Sequence, residues 1–216
     1  MSERIEVLLD RARPVMPVLV IDQLEHAVDL ARALHAGGIE VIEVTLRTDC
    51  ALAAVEAIRR ALPELVVGAG TLVQARQFVQ ARDAGAQFAV SPGFTVGLAE
   101  AAEQSGIPYL PGVMTPSEVL QALELGYRSL KLFPANAAGS VKMLESLKGP
   151  FSGIRFCPTG GVTAENLLSF LRLPNVACVG GSWLAPQSLV RAGAWDQIRQ
   201  LAEQARSLAA SLEQSA

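Results

Sequence analysis

The chain has 216 residues, half of them hydrophobic and 18% charged, which supplies a large core and is far from a disordered composition. A net charge of −3 and an aromatic content of 5% leave no basic, aromatic-interleaved surface, so nucleic acid is excluded as a partner. The opening Met1-Ser2-Glu3-Arg4-Ile5-Glu6 is polar and acidic, unlike a signal peptide, and no apolar run is long enough to span a membrane; a cytoplasmic location without a membrane partner is expected.

Residues Glu3–Arg13 read as an extra helix packed outside the main body. Short β-branched or apolar runs then recur, each ending in Gly, Pro, Thr or Ser: Met16–Ile21, Val41–Leu46, Val66–Thr71, Phe88–Ser91, Tyr109–Val113, Ser129–Phe133, Arg155–Thr159 and Ala177–Gly181. Segments with helical apolar spacing separate them, such as Leu24–Ala36, Ala51–Leu62, Leu72–Ala84 and Ser117–Leu125, and Ala194–Leu212 forms a last helix and tail. Eight strand–helix repeats with no linker or composition step predict a single domain over 1–216, a (β/α)8 TIM barrel with an extra N-terminal helix. An open doubly wound sheet shares the alternation. Asp22-Gln23-Leu24-Glu25 and Thr115-Pro116-Ser117-Glu118 both read as helix-starting capping boxes, and Gly37-Gly38, Gly85 and Gly126 as helix ends.

Lys131 stands out, one of three lysines against fifteen arginines, inside Ser129-Leu130-Lys131-Leu132-Phe133-Pro134. Burial in an apolar strand disfavours the ammonium form and leaves neutral amine able to attack a carbonyl. The alternative is a lysine at the strand's mouth, its head group in solvent or on a carboxylate. On the second strand Val41, Glu43 and Thr45 share one face, and on the sixth Ser129, Lys131 and Phe133 do. Glu43 and Lys131 facing the barrel axis would place a general acid/base beside a nucleophile; a buried structural ion pair is the competing interpretation.

At the carboxyl ends of the strands, Arg47 is positioned to clamp a substrate carboxylate, with Thr71 able to join it; a solvated loop residue and a helix cap are the ordinary roles for these two types. Pro158-Thr159-Gly160-Gly161 and Val179-Gly180-Gly181-Ser182-Trp183 close the last two strands. Paired glycines let backbone N–H groups approach an anion, and phosphate sites in barrels are often built from these two loops. His26 and His35 lie nine residues apart, on opposite faces of one helix, and cannot pair on a metal. Cys50, Cys157 and Cys178 show no CxxC spacing, and the last two read as core residues. No HExxH, CxxC or GxGxxG pattern calls for a metal, dinucleotide or other cofactor.

Six motifs, taken jointly and in order, resemble the bacterial 2-keto-3-deoxy-6-phosphogluconate (KDPG) aldolase family of class I aldolases nearly end to end. They are Glu43-Val44-Thr45-Leu46-Arg47-Thr48, Gly68-Ala69-Gly70-Thr71, Ser91-Pro92-Gly93, Lys131-Leu132-Phe133-Pro134-Ala135, Arg155-Phe156-Cys157-Pro158-Thr159-Gly160-Gly161 and Gly180-Gly181-Ser182-Trp183-Leu184. The resemblance implies that Lys131 forms a Schiff base with the C2 ketone of a keto-acid phosphate, releasing pyruvate and D-glyceraldehyde 3-phosphate, while Glu43 shuttles protons. It implies a carboxylate site at Arg47 and Thr71, substrate contacts at Pro92, Phe133 and Thr159, and a phosphate site at Gly160, Gly161, Gly181 and Ser182. It further implies a homotrimer that needs no metal. Where the family commonly carries Glu after Phe-Pro-Ala, this chain has Asn136, which keeps hydrogen bonding and loses charge. Other substrates within the class are 4-hydroxy-2-oxoglutarate (KHG) and the galactonate epimer. A phosphate-binding barrel isomerase without covalent catalysis, or a non-catalytic phosphosugar-binding module, would use the same loops.

Overall fold

The computed structural model describes residues 2–137 and 139–213. Its strands are β1 (Val15–Leu19), β2 (Val41–Thr45), β3 (Val66–Gly70), β4 (Phe88–Val90), β5 (Tyr109–Leu110), β6 (Gly112–Val113), β7 (Ser129–Leu132), β8 (Arg155–Pro158) and β9 (Val179–Gly181). The helices are α1 (Ser2–Arg11), α2 (Ala27–Ala36), α3 (Ala51–Ala61), α4 (Arg76–Asp83), α5 (Val96–Ser105), α6 (Pro116–Glu124), α7 (Ser140–Lys148), α8 (Leu167–Leu171), α9 (Gln187–Arg191) and α10 (Trp195–Glu213).

All pairings are parallel. One sheet runs β5-β4-β3-β2-β1-β9 and the other β6-β7-β8, and isolated bridges join Phe156 to Val176 and Thr159 to Gly180. Side-chain alternation sorts the strands into two cores. Ile42, Val44, Leu130 and Leu132 point into a large layer shared with α2 to α6, whereas Met16, Val41, Val66, Phe88, Leu110, Cys157 and Cys178 fill a second cluster on the concave face of a curled sheet. This is a parallel α/β fold with both faces of its strands buried.

Four expectations are corrected here. The predicted fifth strand, Tyr109–Val113, is broken at Pro111, which has no N–H to give the ladder, so β5 and β6 belong to different sheets. The N-terminal helix is no outer layer: Ile5, Leu9 and Ala12 pack into the concave core beneath the strands, and Asp10 pairs with Arg155 of β8 at 2.5 Å. Ile5 and Leu9, each 2% exposed, contribute roughly 1.5–3 kcal/mol apiece by burial. The helix expected from Leu72 starts only at Arg76, because Thr71 takes a left-handed φ of 63° and the Gln77 side chain accepts the Val73 and Gln74 N–H groups, ending the intervening loop. The Asp22 capping box does not form either. Leu24–His26 is a 3-10 turn without a side-chain cap, and Asp22 instead binds Arg191.

The Thr115 box does form. Thr115 Oγ1 accepts the Glu118 N–H, and Glu118 Oε2 accepts the N–H groups of Met114 and Thr115, both at 2.7 Å. Partial burial alone would raise the Glu118 carboxyl, but these donors and the Thr115 hydroxyl together hold it below its usual value. A carboxyl with a depressed folded pKa stabilises above its unfolded pKa and loses that contribution as pH falls through the folded one. Glu118→Gln is therefore expected to lower Tm by about 2 °C at neutral pH, a gap that closes as the pH drops well below the usual carboxylate range; melts across that range check it.

Cys157 and Cys178 occupy the expected core positions. They are buried on the concave face, with sulfurs 3.7 Å apart. His26 meets Trp195 edge-on and His35 bonds the Ile39 carbonyl. Among the described residues, no group of three or more His, Cys, Asp or Glu side chains could hold a metal, and no helix is long and apolar enough to cross a membrane.

Candidate active site

Strand alternation puts Glu43 and Lys131 on the concave side, because Val41 points there from β2 and the neighbours Leu130 and Leu132 of β7 point away. Their side chains meet across the interior. Lys131 Nζ donates to Glu43 Oε1 at 3.3 Å; Lys131 is 5% exposed and Glu43 fully buried. The second carboxylate oxygen, Oε2, is buried without a partner among the described residues, so the pair is incomplete as a structural salt bridge. An acceptor left free beside an amine is what proton transfer to and from a bound molecule requires.

Glycine makes the room. A Cβ at Gly70, on the adjoining β3, would land on the Glu43 carboxylate. Gly70 thus belongs to the site although its motif had pointed only to Thr71. Gly70→Ala is expected to displace Glu43 by about an ångström and to lower kcat on the order of 10²-fold, with the chain still folded by circular dichroism.

Phe133 follows Lys131 on the same face, its ring centroid 5.5 Å from Nζ, within reach of a cation–π contact. The loops after β7 and β8 run side by side: the N–H groups of Ala135 and Asn136 donate to the carbonyls of Thr159 and Gly160. Gly160 and Gly161 hold left-handed φ values of 94° and 81°, a region glycine enters freely. A Cβ on Gly160 would crowd the Phe133 ring, and one on Gly161 would overlap Asn136. Thr159 is buried, its hydroxyl donating to the Cys157 carbonyl at 3.2 Å, and Gly180 leaves the space that its side chain fills. Gly181 packs under the Trp183 ring.

Ser182 and Arg47 line a common open cleft of about 460 Å³, together with Val18, Val20, Asp22 and Arg191. Arg47 is exposed, and neither it nor Ser182 has a side-chain partner among the described residues. Glu43 and Lys131 lie outside the lining of this cleft. Thr71 follows β3 with a left-handed φ, a strained conformation for a β-branched residue and one that clusters at functional sites. No hydrogen bond joins its hydroxyl to Arg47 among the described residues. Pro92 sits between two residues joined by a hydrogen bond. The buried Ser91 hydroxyl donates to the Gly93 carbonyl at 2.6 Å and accepts from Tyr109 at 2.5 Å. Burial pushes the Tyr109 phenol above its ordinary range, which keeps it a donor.

The family model for KDPG and KHG aldolases matches residues 5–201. The chain is 50% identical to the 2-dehydro-3-deoxy-phosphogluconate aldolase of Pseudoalteromonas atlantica over 199 residues, covering 92% of this chain and 93% of that one. It is also 50% identical to the KHG/KDPG aldolase of Escherichia coli K12 over 192 residues, 89% and 90% of the two chains. Among solved structures it superposes with a TM-score of 0.89 on the KDPG aldolase of Legionella pneumophila, captured with pyruvate as a covalent carbinolamine. Identity there is 46%, over 92% of this chain and 96% of the other. With end-to-end coverage at this identity, the chain belongs to the KDPG and KHG aldolase family.

Proposed function

We propose that this chain is a Schiff-base aldolase, a carbon–carbon lyase that cleaves KDPG to pyruvate and D-glyceraldehyde 3-phosphate. The observation that carries the reading is the buried Lys131–Glu43 pair with its one unpartnered carboxylate oxygen. The Lys131 amine adds to the C2 ketone, and the carbinolamine loses water to give an iminium. Removal of the C4 hydroxyl proton lets the C3–C4 bond break, its electrons passing to the iminium as an enamine while C4 becomes the aldehyde. Protonation at C3 and hydrolysis then return pyruvate and the free amine. Glu43 moves these protons. Phe133 packs beside the imine and excludes water from one side.

In this reading Arg47 and Thr71 take the pyruvyl carboxylate and Thr159 the substrate hydroxyls. Pro92 lines the site, while Gly160, Gly161, Gly181 and Ser182 receive the phosphate through backbone N–H groups and one hydroxyl. The bridge from Thr159 to Gly180 and the continuation of β5 into β6 across Pro111 support a closed (β/α)8 barrel in one domain. A metal-free cytoplasmic homotrimer completes the proposal. Exposed Val73, Val96, Leu120 and Leu125 supply apolar surface for assembly.

The test is pyruvate release from KDPG, coupled to NADH oxidation by lactate dehydrogenase; no turnover with the folded protein would sink the reading. Half-identity with a KHG/KDPG aldolase also favours KHG as a second substrate, to be measured in the same assay.

A further inference from the structure

The cleft that holds Arg47 and Ser182 contains a second guanidinium for which the site described so far has no use. Arg191 closes α9, the short helix that follows the Ser182 loop, and its Nη2 lies 2.8 Å from Asp22 Oδ2 just beyond β1. Four residues earlier, on the same side of that helix, Gln187 Nε2 donates to the Val20 carbonyl at 2.7 Å. The helix is thus tied at both ends to the segment after β1, and both ties line the cleft.

The two ties differ in kind. Gln187 is bound to backbone and its Oε1 is buried, so it is a fixed strut. The Arg191–Asp22 pair is solvent-facing, with side-chain exposures of 66% and 34%. Exposed ion pairs contribute little to stability, and arginine's planar fork suits a phosphate at least as well as a carboxylate.

We propose that Arg191 is a specificity-determining residue for the distal phosphate of the substrate, held by Asp22 until that dianion arrives. The assignment rests on the aldolase reading above. A phosphate ester carries roughly −1.5 to −2 charges at neutral pH, and the glycine loops with Ser182 offer it dipoles and a hydroxyl but no full positive charge. Arg47 is committed to the carboxylate at the other end. Arg191 supplies the missing charge, and Asp22 opposes the incoming anion while it also competes for the guanidinium. The two residues of one ion pair therefore act on substrate affinity in opposite directions.

That opposition is the test. Cleavage kinetics with KDPG, and exchange of the pyruvate methyl protons for deuterium followed by NMR, are to be measured for the wild type, Arg191→Gln and Asp22→Asn. Arg191→Gln is expected to raise KM for KDPG about tenfold, the low end for one charge-assisted hydrogen bond, with the loss in KM rather than kcat. The ratio of KDPG cleavage to pyruvate exchange falls correspondingly, because pyruvate carries no phosphate. Asp22→Asn is expected to lower KM for KDPG severalfold. If both variants raise KM alike, the pair is only a brace between α9 and the β1 loop, and the assignment is wrong. An unchanged KM in Arg191→Gln overturns it equally. Absence of exchange in the wild type would instead bring down the aldolase reading, and this inference with it.

Discussion

Lys131→Ala is expected to abolish pyruvate formation from KDPG, by at least about 10⁴-fold, since removing a covalent nucleophile leaves only what binding and positioning contribute. No other lysine can replace it. The chain's remaining lysines, Lys142 and Lys148, sit exposed on α7. The substitution also has a structural cost, because it strands the fully buried Glu43 carboxylate without its partner. Breaking a buried pair from one side typically costs about 3–5 kcal/mol, whereas replacing both charges by neutral groups of similar volume is often close to neutral. Lys131→Met should therefore destabilise the chain in a denaturant melt, and Lys131→Met combined with Glu43→Gln should recover most of that loss. Neither variant should recover activity. If the double variant were as unstable as the single one, the penalty would come from packing and not from stranded charge.

The second large effect is expected at Glu43. Glu43→Gln keeps the shape and an acceptor for Lys131 Nζ but cannot take up a proton at the position of Oε2, the orphaned oxygen. Loss of a positioned acid/base typically lowers turnover by about 10²–10⁴-fold. The fall should lie in kcat, with KM for KDPG little changed, because Glu43 handles protons and not the carboxylate or phosphate. The Schiff base itself should still form, more slowly. Steady-state kinetics beside a time course of adduct formation separate the two effects. A Glu43→Gln enzyme with wild-type turnover would reassign the acid/base role to another group.

What the sequence made legible follows from local rules. Period-2 alternation is sufficient to put Glu43 and Lys131 on one face, since each is flanked by residues that must point the other way. The Thr115 cap is likewise local, its donors and acceptors lying within four residues. Features made across the fold were not legible. Asp22 resembles a helix cap in isolation, and only the return of α9 beside β1, 169 residues later, supplies the arginine that it binds instead. Gly70 reads as an ordinary position of the third strand until the adjoining strand brings a carboxylate against it. The break at Pro111 had a readable signal, a proline inside a five-residue strand, which the alternation pattern masked. The left-handed turn at Thr71 had none, because threonine is a poor residue for it and only the surrounding structure holds it there.

Catalysis in this chain rests on covalent chemistry at one amine, and borohydride reduction in the presence of pyruvate addresses that directly. Intact mass followed by peptide mapping should find a single reduced pyruvyl adduct on the peptide carrying Lys131, and none on Lys131→Ala. A folded, pyruvate-saturated protein that gives no adduct, or one labelled at Lys142 or Lys148 instead, would contradict it.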